Sequence, residues 1–407
     1  MGENLAIFPN LRDALRKAKK FHMSFFFPSA FYFMFFGALS FMMPFLALFY
    51  QNAGFSGTQI GLLTGIAPLI TLVGAPFWTG IADSTRRHKA IMIIATIAVI
   101  TTALLMSRSS EFYSLFGLVV LFSFFGAPIV SLADSATMSM LGESKHRYGQ
   151  IRLWGSVGWG LIAPLAGAVV QQLGLDWPFY GYAIGMSGAL LLALGLHFPT
   201  QQTSTPFKAG MKSLLSSKNW MFFLLMVLLA GIGMATINSY LFVYMEAMGL
   251  SKTLMGLALT ISTLSEIPVM FFASRFLKRF NPRNLLLLAL LVIGVRLLLY
   301  SVSTLPWQIL LIQLVHGFTF PIIWVAGVSY AAQEAPEGLS ATAQGMFGST
   351  LMGIGAALGG LLGGLLLQQF DPSGMYLIVG LVLLAGAFFF SVGPMINFIK
   401  RPKESVT

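Results

Sequence analysis

Twelve apolar runs follow one another down this chain, each close to or longer than the ~20 residues a helix needs to cross a bilayer. They fall at 24–51, 58–81, 89–107, 112–140, 148–172, 177–198, 219–247, 253–276, 284–303, 306–333, 342–368 and 373–398. Backbone inside lipid must satisfy its own hydrogen bonds, so continuous apolar runs of this length fold as helices. The expected fold class is an all-α membrane protein with 12 transmembrane helices. Composition agrees: 57% of the 407 residues are hydrophobic and 9% are charged, where a soluble domain carries roughly a quarter charged residues.

The charges that remain are sorted by side. Nearly all basic residues lie in alternate gaps, at Arg12 to Lys20, Arg86 to Lys89, Lys145 to Arg152, Lys208 to Lys218, Arg275 to Arg283 and Lys400 to Lys403. The opposite gaps hold only Arg108 and Lys252. Such asymmetry sets orientation, with the basic side and both termini cytoplasmic. It explains the net charge of +11 without a nucleic-acid partner. The expected setting is the inner or plasma membrane, crossed many times by a monomer in lipid. The basic start precedes an apolar run too long for a cleavable signal, so residues 1–23 read as a cytoplasmic tail. No cysteine is present, which excludes a disulfide framework and a thiol nucleophile.

The longest polar stretch, 199–218, divides the chain into six-helix halves at 24–198 and 219–398, with a tail at 399–407. The halves echo each other. Gly54-Phe-Ser-Gly-Thr-Gln-Ile-Gly61 matches Gly249-Leu-Ser-Lys-Thr-Leu-Met-Gly256, an offset of 195, and Trp154-Gly-Ser156 matches Phe347-Gly-Ser349, an offset of 193. Both matches join helices of equal orientation. The pattern is a parallel repeat about an axis along the membrane normal, as in transporters that bind substrate near the midplane between their halves.

Ionisable groups inside the runs are few, and such groups are costly unless they serve a purpose. Asp134 and Arg152 each lie nine residues from Glu143, so a helical hairpin sets them at one depth. Glu266 and Arg296 are symmetric about Asn281, and Arg296 and His316 about Pro306. This places an acid, a guanidinium and an imidazole in one layer near the midplane. Trp159, two turns beyond Arg152, falls on the same helix face; Trp154 faces elsewhere and reads as packing. One His and one Glu are too few for a zinc site, and no Gly-x-Ser-x-Gly elbow suggests a hydrolase. No metal or cofactor is expected, and no enzymatic activity.

These residues resemble the lactose permease and phenylpropionate permease branch of the major facilitator superfamily, over nearly the whole chain. The stretch Tyr148-Gly-Gln-Ile-Arg152-Leu-Trp-Gly-Ser-Val-Gly-Trp159 is similar to the start of helix 5 in both. The resemblance implies that Asp134, Arg152 and Trp159 grip and stack on substrate. It implies that Arg296 and His316, on helices 9 and 10, serve protons and substrate. Pro76 to Asp83, with Arg86 and Arg87, resembles the gating signature of loop 2–3, although Thr79 stands where glycine is usual. Other positions depart from lactose permease. Thr319 replaces an acid, Gln313 replaces a lysine, and Asn238 stands for the acid that pairs with that lysine. Proton coupling then rests on Glu266, in a Ser265-Glu-Ile-Pro268 pattern closer to the phenylpropionate permease side.

The reading implied is a proton-coupled symporter for a sugar, a nucleoside or an aromatic acid, working by alternating access. Two alternatives stand beside it. One is a drug/proton antiporter, for which Gly160, Pro164 and Gly167 give a loose helix-5 signature that Ala163 and Ala168 interrupt. The other is a membrane receptor or scaffold whose buried charges only fix helix register.

Overall fold

A computed structural model describes residues 9–198, 214, 216–335 and 339–392. The expected tails at 1–8 and 399–407, and most of the linker 199–218, lie outside the described residues. Within them all regular structure is helical. The membrane segments are α1 (Phe25–Asn52), α2 (Gly57–Thr85), α3 (His88–Met106), α4 (Phe112–Leu141), α5 (Tyr148–Leu173), α6 (Trp177–Ala193), α7 (Lys218–Ala247), α8 (Lys252–Phe271), α9 (Pro282–Val302), α10 (Pro306–Glu334), α11 (Thr342–Gln369) and α12 (Pro372–Val392). Eleven are long and apolar enough to span a bilayer. The other, α6, has 17 residues and is the shortest of the twelve helices, although the sequence run it comes from, 177–198, has 22. The first helix starts at Pro9, so part of the expected N-terminal tail is helical and continuous with α1.

The sequence echo reappears as matched local structure. Gly54 and Gly249 both take positive φ, at 84° and 77°, a conformation that favours glycine. Ser56 and Ser251 then cap α2 and α8 by accepting from the amides of Gln59 and Leu254. A cap of this kind contributes about 1 kcal/mol. Each capped helix packs against the other half, α2 on α11 and α8 on α5.

These cross-half contacts lie at the end away from the basic gaps. A Cβ at Gly61 would meet the carbonyl of Leu361 at 2.9 Å, and one at Gly65 that of Ala357 at 2.9 Å. Thr260 donates to the carbonyl of Gly160 at 2.7 Å. The rings of Phe45 and Phe242 meet edge to face, 4.8 Å apart. Toward the basic end the halves part. Gly149 on α5 and Gly345 and Gly348 on α11 have nothing within 4 Å of where a Cβ would stand. Met270 and Phe271, at the basic end of α8, are exposed. A cleft therefore opens between the halves toward the basic side.

Candidate functional site

On the N-terminal side of the cleft, α1, α4 and α5 build the first cluster. Asp134 Oδ1 accepts hydrogen bonds from two phenols, Tyr148 at 3.0 Å and Tyr32 in a shorter contact. The Arg152 guanidinium lies over the Phe36 ring, 4.1 Å from its centre, and 5.3 Å from the centre of Tyr32. A cation on an aromatic face is attracted by the ring's quadrupole. Gly155 makes room for this fold-back, since a Cβ there would meet Arg152 Nη1 at 2.7 Å and Phe36 at 2.8 Å.

Asp134 and Arg152 are neighbours, but among the described residues no ion pair joins them. Tyr32 touches both instead. The physical reason lies on α1: its tyrosine gives the carboxylate a neutral donor, and its phenylalanine gives the guanidinium an apolar rest. Arithmetic on α4 and α5 alone does not include that third helix. Trp159 is half-buried and seven residues past Arg152. It falls between the glycines that face α1 (Gly155, Gly158) and those that face α8 (Gly160, Gly167). Trp154 does not pack as expected. It is 44% exposed, in a strip with exposed Leu161 and Leu165.

The second cluster is a continuous chain of hydrogen bonds through α8, α10 and α9. Glu266 Oε1 lies 2.8 Å from His316 Nε2, and His316 Nδ1 lies 2.8 Å from Arg296 Nη1. Arg296 also donates to Gln313 Oε1 at 2.7 Å and to the Tyr300 hydroxyl at 3.1 Å. Gln313 Nε2 donates to the same hydroxyl at 2.9 Å. A guanidinium has donors only, so His316 Nδ1 accepts. The ring is then neutral, with its proton on Nε2, donating to the carboxylate of Glu266. Arg296 is 3% exposed and Gln313 1%, so this positive charge is held by neutral partners and reaches its acid only through the imidazole.

The structure thus joins Glu266, His316 and Arg296 and adds two residues to them. Gln313 stood out in the sequence only as a replaced lysine. Tyr300 had one available signal, its position four residues after Arg296 on the same helical face. Tyr148 had the same signal before Arg152. Thr319 is also engaged, donating to the His316 carbonyl at 2.6 Å.

Asn238 hydrogen-bonds to neither cluster. It is exposed on α7, one turn before Phe242, on the face turned toward the other half. At the basic end, Asp83 pairs with His88 Nε2 at 2.9 Å, and His88 stacks on Phe198. Arg86 closes α2 with a φ of 57°, and both Arg86 and Arg87 are exposed. His88, unmarked in the sequence, anchors this turn.

A known family model, described as the MFS_1 like family, matches residues 27–378. The chain belongs to the MFS_1 like family. It is 28% identical over 358 residues to the maltose permease of Geobacillus stearothermophilus, covering 88% of this chain and 91% of that protein. It is 24% identical over 368 residues to the probable 3-phenylpropionic acid transporter of Escherichia coli (strain K12), covering 88% and 94%. The crystal structure of the nucleoside transporter NupG superimposes with a TM-score of 0.81 at 19% identity, covering 90% of this chain and 98% of that one. The fold is that of major facilitator transporters, and the protein is a membrane transporter of small solutes rather than an enzyme.

Proposed function

We propose that the protein is a proton-coupled symporter that carries a hydroxylated, ring-bearing solute of the sugar or nucleoside class by alternating access. The observation that carries this reading is the state of the first cluster. Arg152 has no hydrogen-bond acceptor among the described residues, and both phenols bind one oxygen of Asp134, leaving Oδ2 without a phenol. The cleft wall therefore offers a planar fork of donors beside a carboxylate acceptor. A pair of hydroxyls can accept from one and donate to the other, while Trp159 stacks on the ring. An aromatic acid would satisfy Arg152 but bring its carboxylate against Asp134. It is the second reading, favoured by the phenylpropionic acid relative. Asn238, on the facing wall, would contribute to the same grip.

Glu266, Arg296 and His316 carry the proton in this reading. A proton arriving on Glu266 removes the negative charge of the chain and leaves buried Arg296 without a counter-charge, a costly state. Protonation and the arrangement of the chain are thereby linked. His316 acts as the strut between the two charges, and it turns to substrate only if the strut opens. The basic end, with Asp83, Arg86 and Arg87, faces the cytoplasm and forms the inner gate. The carrier works as a monomer in the plasma or inner membrane.

Proteoliposomes test the reading. A pH gradient is expected to drive accumulation of a sugar or a nucleoside. Glu266→Gln should abolish that accumulation while leaving solute exchange at equal pH. Gradient-driven accumulation that survives Glu266→Gln would overturn the proton assignment. Outward movement of lipophilic cations under the same gradient would replace symport with drug efflux.

A further inference from the structure

The winding of α10 changes at the proton site. Pro306–Gln313 and Phe320–Glu334 are α-helical, but Leu314–Phe318 between them is a 3-10 helix with His316 at its centre. Part of the cause is Pro321, which has no amide proton for the carbonyl of Gly317. That accounts for the carbonyl side of the break only. On the amide side a neighbouring helix intervenes. The Gly317 amide donates to Ser265 Oγ of α8 at 2.9 Å. The same oxygen lies 3.4 Å from the carbonyl of Gln313, the acceptor that a regular α-helix would offer Gly317. Ser265 in turn donates to the carbonyl of Ser262 at 2.6 Å. The two backbones touch here, since a Cβ on Gly317 would fall on the Ser265 carbonyl oxygen.

The winding has a geometric effect. At 3.0 residues per turn, positions three apart eclipse, whereas at 3.6 they diverge by roughly 60°. Gln313 and His316 are three apart, and both hydrogen-bond to Arg296. An unbroken α-helix would splay them by that roughly 60° and lose the eclipsed alignment. The neighbouring pair sets the register as well: Ser265 meets Gly317, so Glu266 meets His316.

We propose that Ser265 is a positioning residue of the proton site. Its hydroxyl is a wedge in the α10 ladder that holds His316 in line with Gln313, so that one imidazole bridges Glu266 and Arg296. Side chains that insert into a helical ladder are a known cause of such local breaks. The proposal rests on the proton-coupling role assigned to this chain, but the position of His316 can be read apart from transport.

The experiment compares wild type with Ser265→Ala and Ser265→Thr, with 15N-labelled histidine. The chain has 5 histidines, and His316→Gln identifies the signal of interest. Wild type should show His316 as a single Nε2–H tautomer. In Ser265→Ala that signal should split or shift, and substrate-coupled proton uptake should be lost while equilibrium substrate binding persists. Ser265→Thr, which keeps the hydroxyl, should restore both. If the alanine variant does not fold, Ser265→Cys replaces it, similar in size but a weak hydrogen-bonding group. An unchanged His316 signal in a folded variant without the hydroxyl overturns the proposal. A shifted signal with normal proton uptake leaves Ser265 as the wedge but assigns the α10 break no part in coupling, which overturns the functional half. Failure of Glu266→Gln to affect uptake would instead count against the proton reading itself.

Discussion

Two arginines inside the membrane region are held in opposite ways. Arg296 spends its donors on Tyr300, Gln313 and His316 and is buried. Arg152 rests on aromatic rings and has no hydrogen-bond acceptor among the described residues. In the function proposed above, Arg296 belongs to the scaffold of its site and Arg152 to the ligand. Replacing Arg152 with Lys keeps the charge but loses the planar fork. Hydrogen bonds to charged groups contribute about 1.5–3 kcal/mol each, so Arg152→Lys should weaken substrate binding by roughly 10-fold or more while thermal stability holds. Isothermal titration beside a melting curve would check this, and unchanged affinity would return Arg152 to a packing role.

At the scale of helices, two glutamines occupy related places. Gln171, near the end of α5, accepts from the backbone amide of Lys252 in the first turn of α8 at 2.7 Å. Gln368, near the end of α11, accepts from the amide of Thr58 in the first turn of α2 at 2.9 Å. First-turn amides have no partner within their own helix, so each half satisfies a helix start in the other. Both contacts sit at the closed end and must break if that end opens. Removing both, by Gln171→Ala and Gln368→Ala, costs the closed state about 0.5–1.5 kcal/mol per bond. Thr64 faces Tyr240 across this interface at 3.2 Å, and the chain contains no cysteine. A lone Thr64→Cys should therefore react with impermeant maleimide from the far side several-fold faster in the double alanine background. Equal rates would show that the glutamines do not hold the end shut.

The whole molecule has one pair of packing faces used at one end and open at the other. Gly149 lies 18 residues before Gly167 on α5, five turns along the same face. Gly167 is seated against Lys252, whereas Gly149 faces open space. Gly345 lies 19 residues before Gly364 on α11. The π-helical stretch Ser349–Gly355 between them takes up the extra residue. A rocking carrier would close these open faces as the opposite ones part. Gly345→Leu should then leave the fold intact, or stabilise it by about 0.5–1 kcal/mol through helix propensity, while stopping transport. Solute flux measured beside a melting curve decides this, and normal flux would mean that α2 and α11 do not approach there.

The sequence by itself determined the class, the helix count to within the short α6, the repeat and the meeting of Glu266, His316 and Arg296. Each is legible because membrane length, alternating orientation and mirrored spacing are one-dimensional quantities. Asp134 and Arg152 were also legible as neighbours in depth, but not as partners of Tyr32 and Phe36. Those come from α1, and lateral packing leaves no trace in spacing along α4 and α5. The same limit hid Ser265 against Gly317 and the exposed side of Trp154. Only the tertiary structure decided which end of the bundle is closed, because both ends carry the same glycine-lined faces and close packing engages one set at a time. It also decided that His316 is a strut: depth puts an acid, an imidazole and a guanidinium in one layer, but the direction of each hydrogen bond follows from which nitrogen meets which neighbour.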